Sequence, residues 1–293
     1  MKPDATVVLD GYTYFECPRW HDGRVWVSDF YTFEVLSARP DGSDVRVEAT
    51  VPQQPSGLGW LPDGRLLVVS MRDHTILRRE EDGSLVVHAD LSEHVSAHLN
   101  DMLVDDRGRA YVGNFGFDLM NQGTPATASV IRVDPDGSST VVATDLWFPN
   151  GMALTPDGEL LVDETLANRI SVFAIDDAGD LGERRDWATF GDLPDMTDMA
   201  SVMGGIRLAP DGCAIDTDGS LWVADALGGR IAHVVAGQGV VDQLDFGSGV
   251  FACGLGGEDG RTLFVCAAPD FDEHARKVAR DGKLLAVQLP ATT

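Results

Sequence analysis

The chain has 293 residues, 44% hydrophobic and 8% aromatic, enough to bury a sizeable core within one domain. Its formal net charge of −25, from 47 acidic against 22 basic side chains, argues against a nucleic-acid binder, which needs Lys and Arg to neutralise phosphates. No apolar run reaches the roughly 18 residues of a membrane span, and MKPDATVVLDGYTYF lacks a basic region ahead of an apolar stretch, so the expectation is a cytoplasmic protein with no membrane partner.

In chain order, the first element is a strand over TVVLDG, expected to pair into the last unit of the fold. One phrase then recurs six times: WHDGRVWVSDF, WLPDGRLLVVSM, VDDRGRAYVGNF, LTPDGELLVDET, IDTDGSLWVADA and GGEDGRTLFVCAA. Its turn glycines are Gly23, Gly64, Gly108, Gly158, Gly219 and Gly260, spaced by 41, 44, 50, 61 and 41 residues. An acidic turn with glycine between apolar runs signals a hairpin, because the turn needs the positive φ that glycine adopts freely. A weaker hairpin follows each phrase, in RPDGSDVRVEA, REEDGSLVVHA, DPDGSSTVVA, DDAGDLGERRDWATF, VAGQGVVDQLDF and ARDGKLLAVQL. Two hairpins per unit give four strands, and six units of this length predict an all-β fold: a single six-bladed β-propeller over residues 1–293, with four-stranded antiparallel blades around a central channel. No segment shows a sustained helical period.

Two units are over-long, near Phe117 to Ala128 and near Pro194 to Leu208, and the Met-rich second excess reads equally as a pocket lid or a longer connection. Cys17, Cys213, Cys253 and Cys266 have no CxxC spacing and read as buried free thiols. Trp26, Trp60, Trp147 and Trp222 read as packing, and His21 and His74, beside turns, as exposed. No GxSxG elbow is present, which argues against a serine hydrolase.

Counting back eight residues from each turn glycine, or seven in the first unit, reaches the head of the innermost strand. The residues there are Glu16, Ser56, Asn100, Asn150, Asp211 and Ala252. Four of the six carry a side-chain carbonyl or carboxylate oxygen, at a register that should ring one mouth of the channel. Buried carboxylates facing one another are costly unless a cation joins them, and oxygen-only donors favour hard divalent cations. A hydrogen-bonded polar plug fits the same residues, and the pattern leaves both open.

The phrases FECPRWHDGRVWVSD, LNDMLVDDRGRAYVG, FPNGMALTPDGELLV and PDGCAIDTDGSLWVAD resemble the gluconolactonase, senescence-marker-protein and luciferin-regenerating-enzyme family, with Cys17 where glycine is usual. The resemblance implies one divalent cation, Ca²⁺ first with Mn²⁺, Mg²⁺, Zn²⁺ or Fe²⁺ as alternatives, held by Glu16, Asn150 and Asp211. It also implies hydrolysis of a small-molecule lactone, with Asp211 as the base that activates water and Asn100 near substrate. His98 stands where some sugar-lactonase relatives have arginine, and with Phe115 and Asp118 it completes the expected substrate wall. Phe115 and Phe117 make that wall more apolar than a polyol pocket needs. Two other readings remain: a repurposed propeller resembling strictosidine synthase, and a non-catalytic module that binds a small molecule or protein.

Overall fold

The computed structural model describes residues 2–121 and 123–290, and they form six four-stranded antiparallel sheets arranged as propeller blades. Blade one comprises Phe15–His21, Arg24–Asp29, Glu34–Ala38 and Arg46–Thr50; blade two, Pro55–Trp60, Leu66–Ser70, Thr75–Arg79 and Leu85–Asp90. Blade three comprises Leu99–Val104, Ala110–Asn114, Ala128–Val133 and Ser139–Leu146; blade four, Pro149–Leu154, Leu160–Glu164, Arg169–Phe173 and Arg185–Thr189. Blade five comprises Pro210–Ile215, Leu221–Asp225, Arg230–Val235 and Gly239–Asp245. Blade six takes Gly249–Gly256, Thr262–Ala268 and Gly282–Gln288 from the C-terminal part, and its outer strand is the N-terminal Ala5–Tyr12, paired antiparallel to Gly282–Gln288. Outer-strand closure by the N-terminal segment ties first blade to last.

The six turn glycines all have φ between 67° and 87°, which explains why the repeat keeps glycine there. Acids beside them cap the turns: Asp63, Asp218 and Asp259 each accept the backbone N–H two residues on, at 2.9–3.0 Å. Part of the negative charge therefore serves local turn chemistry. Apolar side chains of neighbouring blades interdigitate between the sheets; Leu161 and Ile170 of blade four meet Leu221 and Val223 of blade five, for example.

Two expectations need correction, at ARDGKLLAVQL and at the two histidines, and one over-long unit gains a short helix. ARDGKLLAVQL contributes one strand and no hairpin, because the N-terminal strand already fills the fourth place in blade six; helix α2 (Glu273–Val278) precedes it instead. The Met-rich insertion folds into helix α1 (Met199–Gly205), N-capped by Asp198, which accepts from Ser201 N at 2.8 Å. His21 and His74 are half-buried, His21 stacking on Trp60 with ring centroids 4.0 Å apart. Among the described residues no helix is long and apolar enough to cross a membrane.

Candidate functional site

The inner strand of every blade breaks its ladder near the channel mouth. The register shifts fall between Glu16 and Arg19, Pro55 and Leu58, Leu99 and Met102, Pro149 and Met152, Pro210 and Cys213, and Val250 and Ala252. A bulge re-aims the side chains within it, and in all six blades the expected channel residue sits in or at the edge of the break. Neighbouring inner strands also crowd together here: a Cβ on Gly151 would lie 2.4 Å from Asp211 O, and one on Gly57 2.4 Å from Met102 N. Cys17 holds the left-handed conformation, φ 52°, at the comparable place after Glu16.

Glu16, Asn100, Asn150 and Asp211 are all buried, each 6–8% exposed. Burial pushes the Glu16 carboxyl well above its ordinary range, and the charges of Asp211 and Asp101 push it further; Cys17 N–H and the Tyr14 hydroxyl oppose this by donating to it. Burial likewise raises Asp211, reinforced by Asp101 and Asp163 and opposed by the Asn150 amide and Gly212 N–H. Glu16 of blade one and Asp211 of blade five thus lie near enough for their charges to repel. Asn100 Nδ2 donates to Pro149 O at 3.3 Å, and Asn150 Nδ2 donates to Thr165 Oγ1 at 3.1 Å, which in turn donates to Pro210 O at 2.7 Å. With the amide nitrogens so engaged, the two Oδ1 atoms are the acceptors these residues have left. Ser56 is buried beside Cys17, its Oγ 3.7 Å from the thiol, and Ala252 packs among Phe15, Val27 and Phe264.

Three charged residues of this region were absent from the sequence reading. Arg19 of blade one reaches Asp101 of blade three at 2.7 Å and also donates to Met102 O at 3.0 Å. Burial works against the Arg19 charge, and Asp101 more than restores it. Asp163, on the second strand of blade four, is fully buried, and neither of its oxygens has a full hydrogen-bond partner; the Cys213 thiol interacts with it weakly, and the charge of Asp101 acts on it. Burial raises its carboxyl well above the ordinary range. Burial also raises the Cys213 thiol, as expected of an inert cysteine.

At the mouth, His98 is half-buried with its ring edge-on to Phe115, centroids 5.6 Å apart. Burial lowers its pKa, Arg72 and His74 add to this, and Asp118 and Glu273 oppose it, a balance that favours the neutral ring. Phe115 is buried and packs against the tilted ring of Phe148. Asp118 is exposed and accepts from Asn121 N at 3.2 Å and Asn121 Nδ2 at 2.8 Å, so it reaches the mouth through its charge.

The donor set can be tested against a cation. Among the described residues no three His, Cys, Asp or Glu side chains converge as a metal cluster. The ring offers two carboxylates, Glu16 and Asp211, and two neutral amide oxygens, on Asn150 and Asn100. Two mutually repelling buried carboxyls with neutral oxygens beside them suit a hard divalent cation.

Residues 15–269 match the family described as the SMP-30/Gluconolactonase/LRE-like region. A 6-deoxy-6-sulfogluconolactonase of Pseudomonas putida is 26% identical over 86% of this chain and 82% of its own. A pentonolactonase of Haloferax volcanii is 26% identical over 86% and 81%. The crystal structure of a calcium-binding protein, regucalcin, of Agrobacterium tumefaciens superposes with a TM-score of 0.79 at 20% identity, over 99% of this chain and 95% of that one, a likeness of fold. The chain therefore belongs to the SMP-30/gluconolactonase/LRE-like family.

Proposed function

We propose that this protein is a hydrolase that opens a lactone ring at the mouth of its channel, with a divalent cation held by Glu16, Asn150 and Asp211. What supports this reading is the burial of two mutually repelling carboxyls and two amides at the heads of four inner strands, in a chain whose relatives include named lactonases.

When bound, the cation supplies Lewis-acid polarisation of the lactone carbonyl. Glu16 is the fixed anionic ligand, steadied by the Tyr14 hydroxyl and Cys17 N–H. Asn150, oriented through Thr165, is the neutral ligand. Asn100, tethered to Pro149 O, orients the substrate carbonyl or the attacking water. Asp211 accepts a proton from water as its oxygen bonds to the carbonyl carbon. The ring C–O bond then breaks, and the departing alkoxide takes a proton to give a hydroxy acid. The metal charge also answers the electrostatic problem, because it favours the ionised form of Asp211 that a base requires.

The test is removal of metal with a chelator, followed by assay of γ- and δ-lactones by proton release with Ca²⁺, Mn²⁺, Mg²⁺ or Zn²⁺ restored. Cation-dependent turnover is expected. Full activity in chelator would refute the metal role, and failure to open any lactone would refute the reaction.

A further inference from the structure

The channel wall carries a third acid within reach of Glu16 and Asp211. Asp101 directly follows Asn100, is buried, and its charge acts on both of those carboxyls. Yet among the described residues no three acidic side chains converge as a metal cluster. Arg19 accounts for the difference. Its guanidinium donates to Asp101 Oδ1 at 2.7 Å, and Met102 N–H donates to the same oxygen at 2.7 Å. Further bonds to Met102 O at 3.0 Å and Pro18 O at 3.2 Å hold its two terminal nitrogens. Blade two lies between the partners, and its inner strand has Gly57 at this level, where a Cβ would sit 2.4 Å from Met102 N and 2.9 Å from Asp101 C. Any side chain there would push apart the strands on which the pair depends.

With a cation bound, the charges of this region balance. Glu16, Asp211 and Asp101 supply three negative charges, and Arg19 supplies one positive charge that stays on across the working pH range. One divalent ion makes up the remainder. Asp163 does not enter, because burial favours its neutral form. If Asp101 were free to join Glu16 and Asp211, three carboxylates would over-neutralise the ion. A higher ligand charge count binds Ca²⁺ more tightly, but it lowers the positive charge left to polarise a carbonyl.

We propose that Arg19 is a positioning residue that withholds Asp101 from the cation, so that the ion keeps its electrophilic charge and an open face for the substrate carbonyl; this rests on the cation-dependent reading above. Arg19 acts through Asp101 alone. The experiment titrates Ca²⁺ calorimetrically into metal-depleted parent, Arg19→Gln, Arg19→Lys, Asp101→Asn and the double variant Arg19→Gln/Asp101→Asn, and measures kcat for an unsubstituted δ-lactone in the same preparations. Arg19→Gln keeps an amide donor but deletes the charge. It is expected to bind Ca²⁺ at least about tenfold more tightly than the parent, while kcat falls at least about tenfold. The double variant is expected to return to within about threefold of the parental Kd, because the freed carboxylate is gone. Arg19→Lys, which keeps the charge, is expected to stay within a similar margin, roughly threefold. A pair with a structural role alone would weaken binding and turnover together. Equal or weaker Ca²⁺ binding by Arg19→Gln, or tightening that persists in the double variant, overturns the proposal. Asp101→Asn tests it without altering Arg19: the unpaired guanidinium is expected to weaken Ca²⁺ binding at least about threefold, and unchanged or tighter binding overturns the proposal as well. No cation binding by the parent, with Mn²⁺ and Mg²⁺ also titrated, instead removes the reading on which it rests.

Discussion

Arg19→Met removes the cation that spans from blade one to blade three. In the native protein Asp101 is 2% exposed and accepts from Arg19 Nη2 and from its neighbour Met102 N–H, each at 2.7 Å. The variant leaves this carboxylate with the backbone donor alone, beside Glu16 and Asp211. Breaking a buried pair by deleting one partner costs about 3–5 kcal/mol. The Arg19 side chain is 20% exposed, so water can partly replace it, and the lower end, about 3 kcal/mol, is expected. For a chain of this size that lowers Tm by about 6–12 °C. Adding Asp101→Asn removes the stranded charge but keeps an oxygen for Met102 N–H, so about 2 kcal/mol should return. Thermal and urea unfolding of the two single variants and the double variant read the coupling directly. A loss below about 1 kcal/mol for Arg19→Met, or no recovery in the double variant, would refute the account of an acid-rich channel held by one internal guanidinium.

Three further outcomes are expected. Asp211→Asn should fold with near-native stability but lose at least about a hundredfold in kcat, as befits loss of a general base; a near-normal rate in a lactone assay would sink the assignment. Asp163→Asn should become increasingly more stable than the parent as pH rises. The native Asp163 carboxyl is raised above its unfolded value, so the folded state binds more protons and stability falls with pH between those two values, by up to about 1.4 kcal/mol per unit. A stability gap that stays constant from acid to mildly alkaline pH contradicts this. Glu16 and Asp211 share that sign, so the metal-depleted protein should lose stability as pH climbs above the ordinary carboxylate range, and added Ca²⁺ should raise Tm more at pH 8 than at pH 5. Equal shifts at both pH values would count against a cation between the two carboxyls.

The architecture was legible because the acid-glycine turn is a local signal that repeats. Turns at Gly23, Gly64, Gly108, Gly158, Gly219 and Gly260 fix six hairpins, and their register leads to Glu16, Asn100, Asn150 and Asp211. Blade six misled at ARDGKLLAVQL because a strand borrowed from the other end of the chain leaves no local trace. The hidden part of the site has one cause. Period-two alternation turns Asp101 away from the face that carries Asn100, but the bulge between Leu99 and Met102 breaks that alternation. Arg19, at the edge of a similar break, is free to meet Asp101 two blades away. Both residues lie within phrases that stood out in the sequence, LND and ECPRW; their pairing needed three dimensions. Asp163 left no signal beyond an acid inside the apolar run LLVDE.

The most direct measurement is calorimetric titration of Ca²⁺ into metal-depleted protein, with Glu16→Gln and Asp211→Asn titrated in parallel and lactone turnover followed in the same samples. One saturable site, weakened by either substitution, with turnover appearing as it fills, is the predicted result. No binding, or binding that neither substitution alters, would contradict a cation shared by carboxyls from blades one and five.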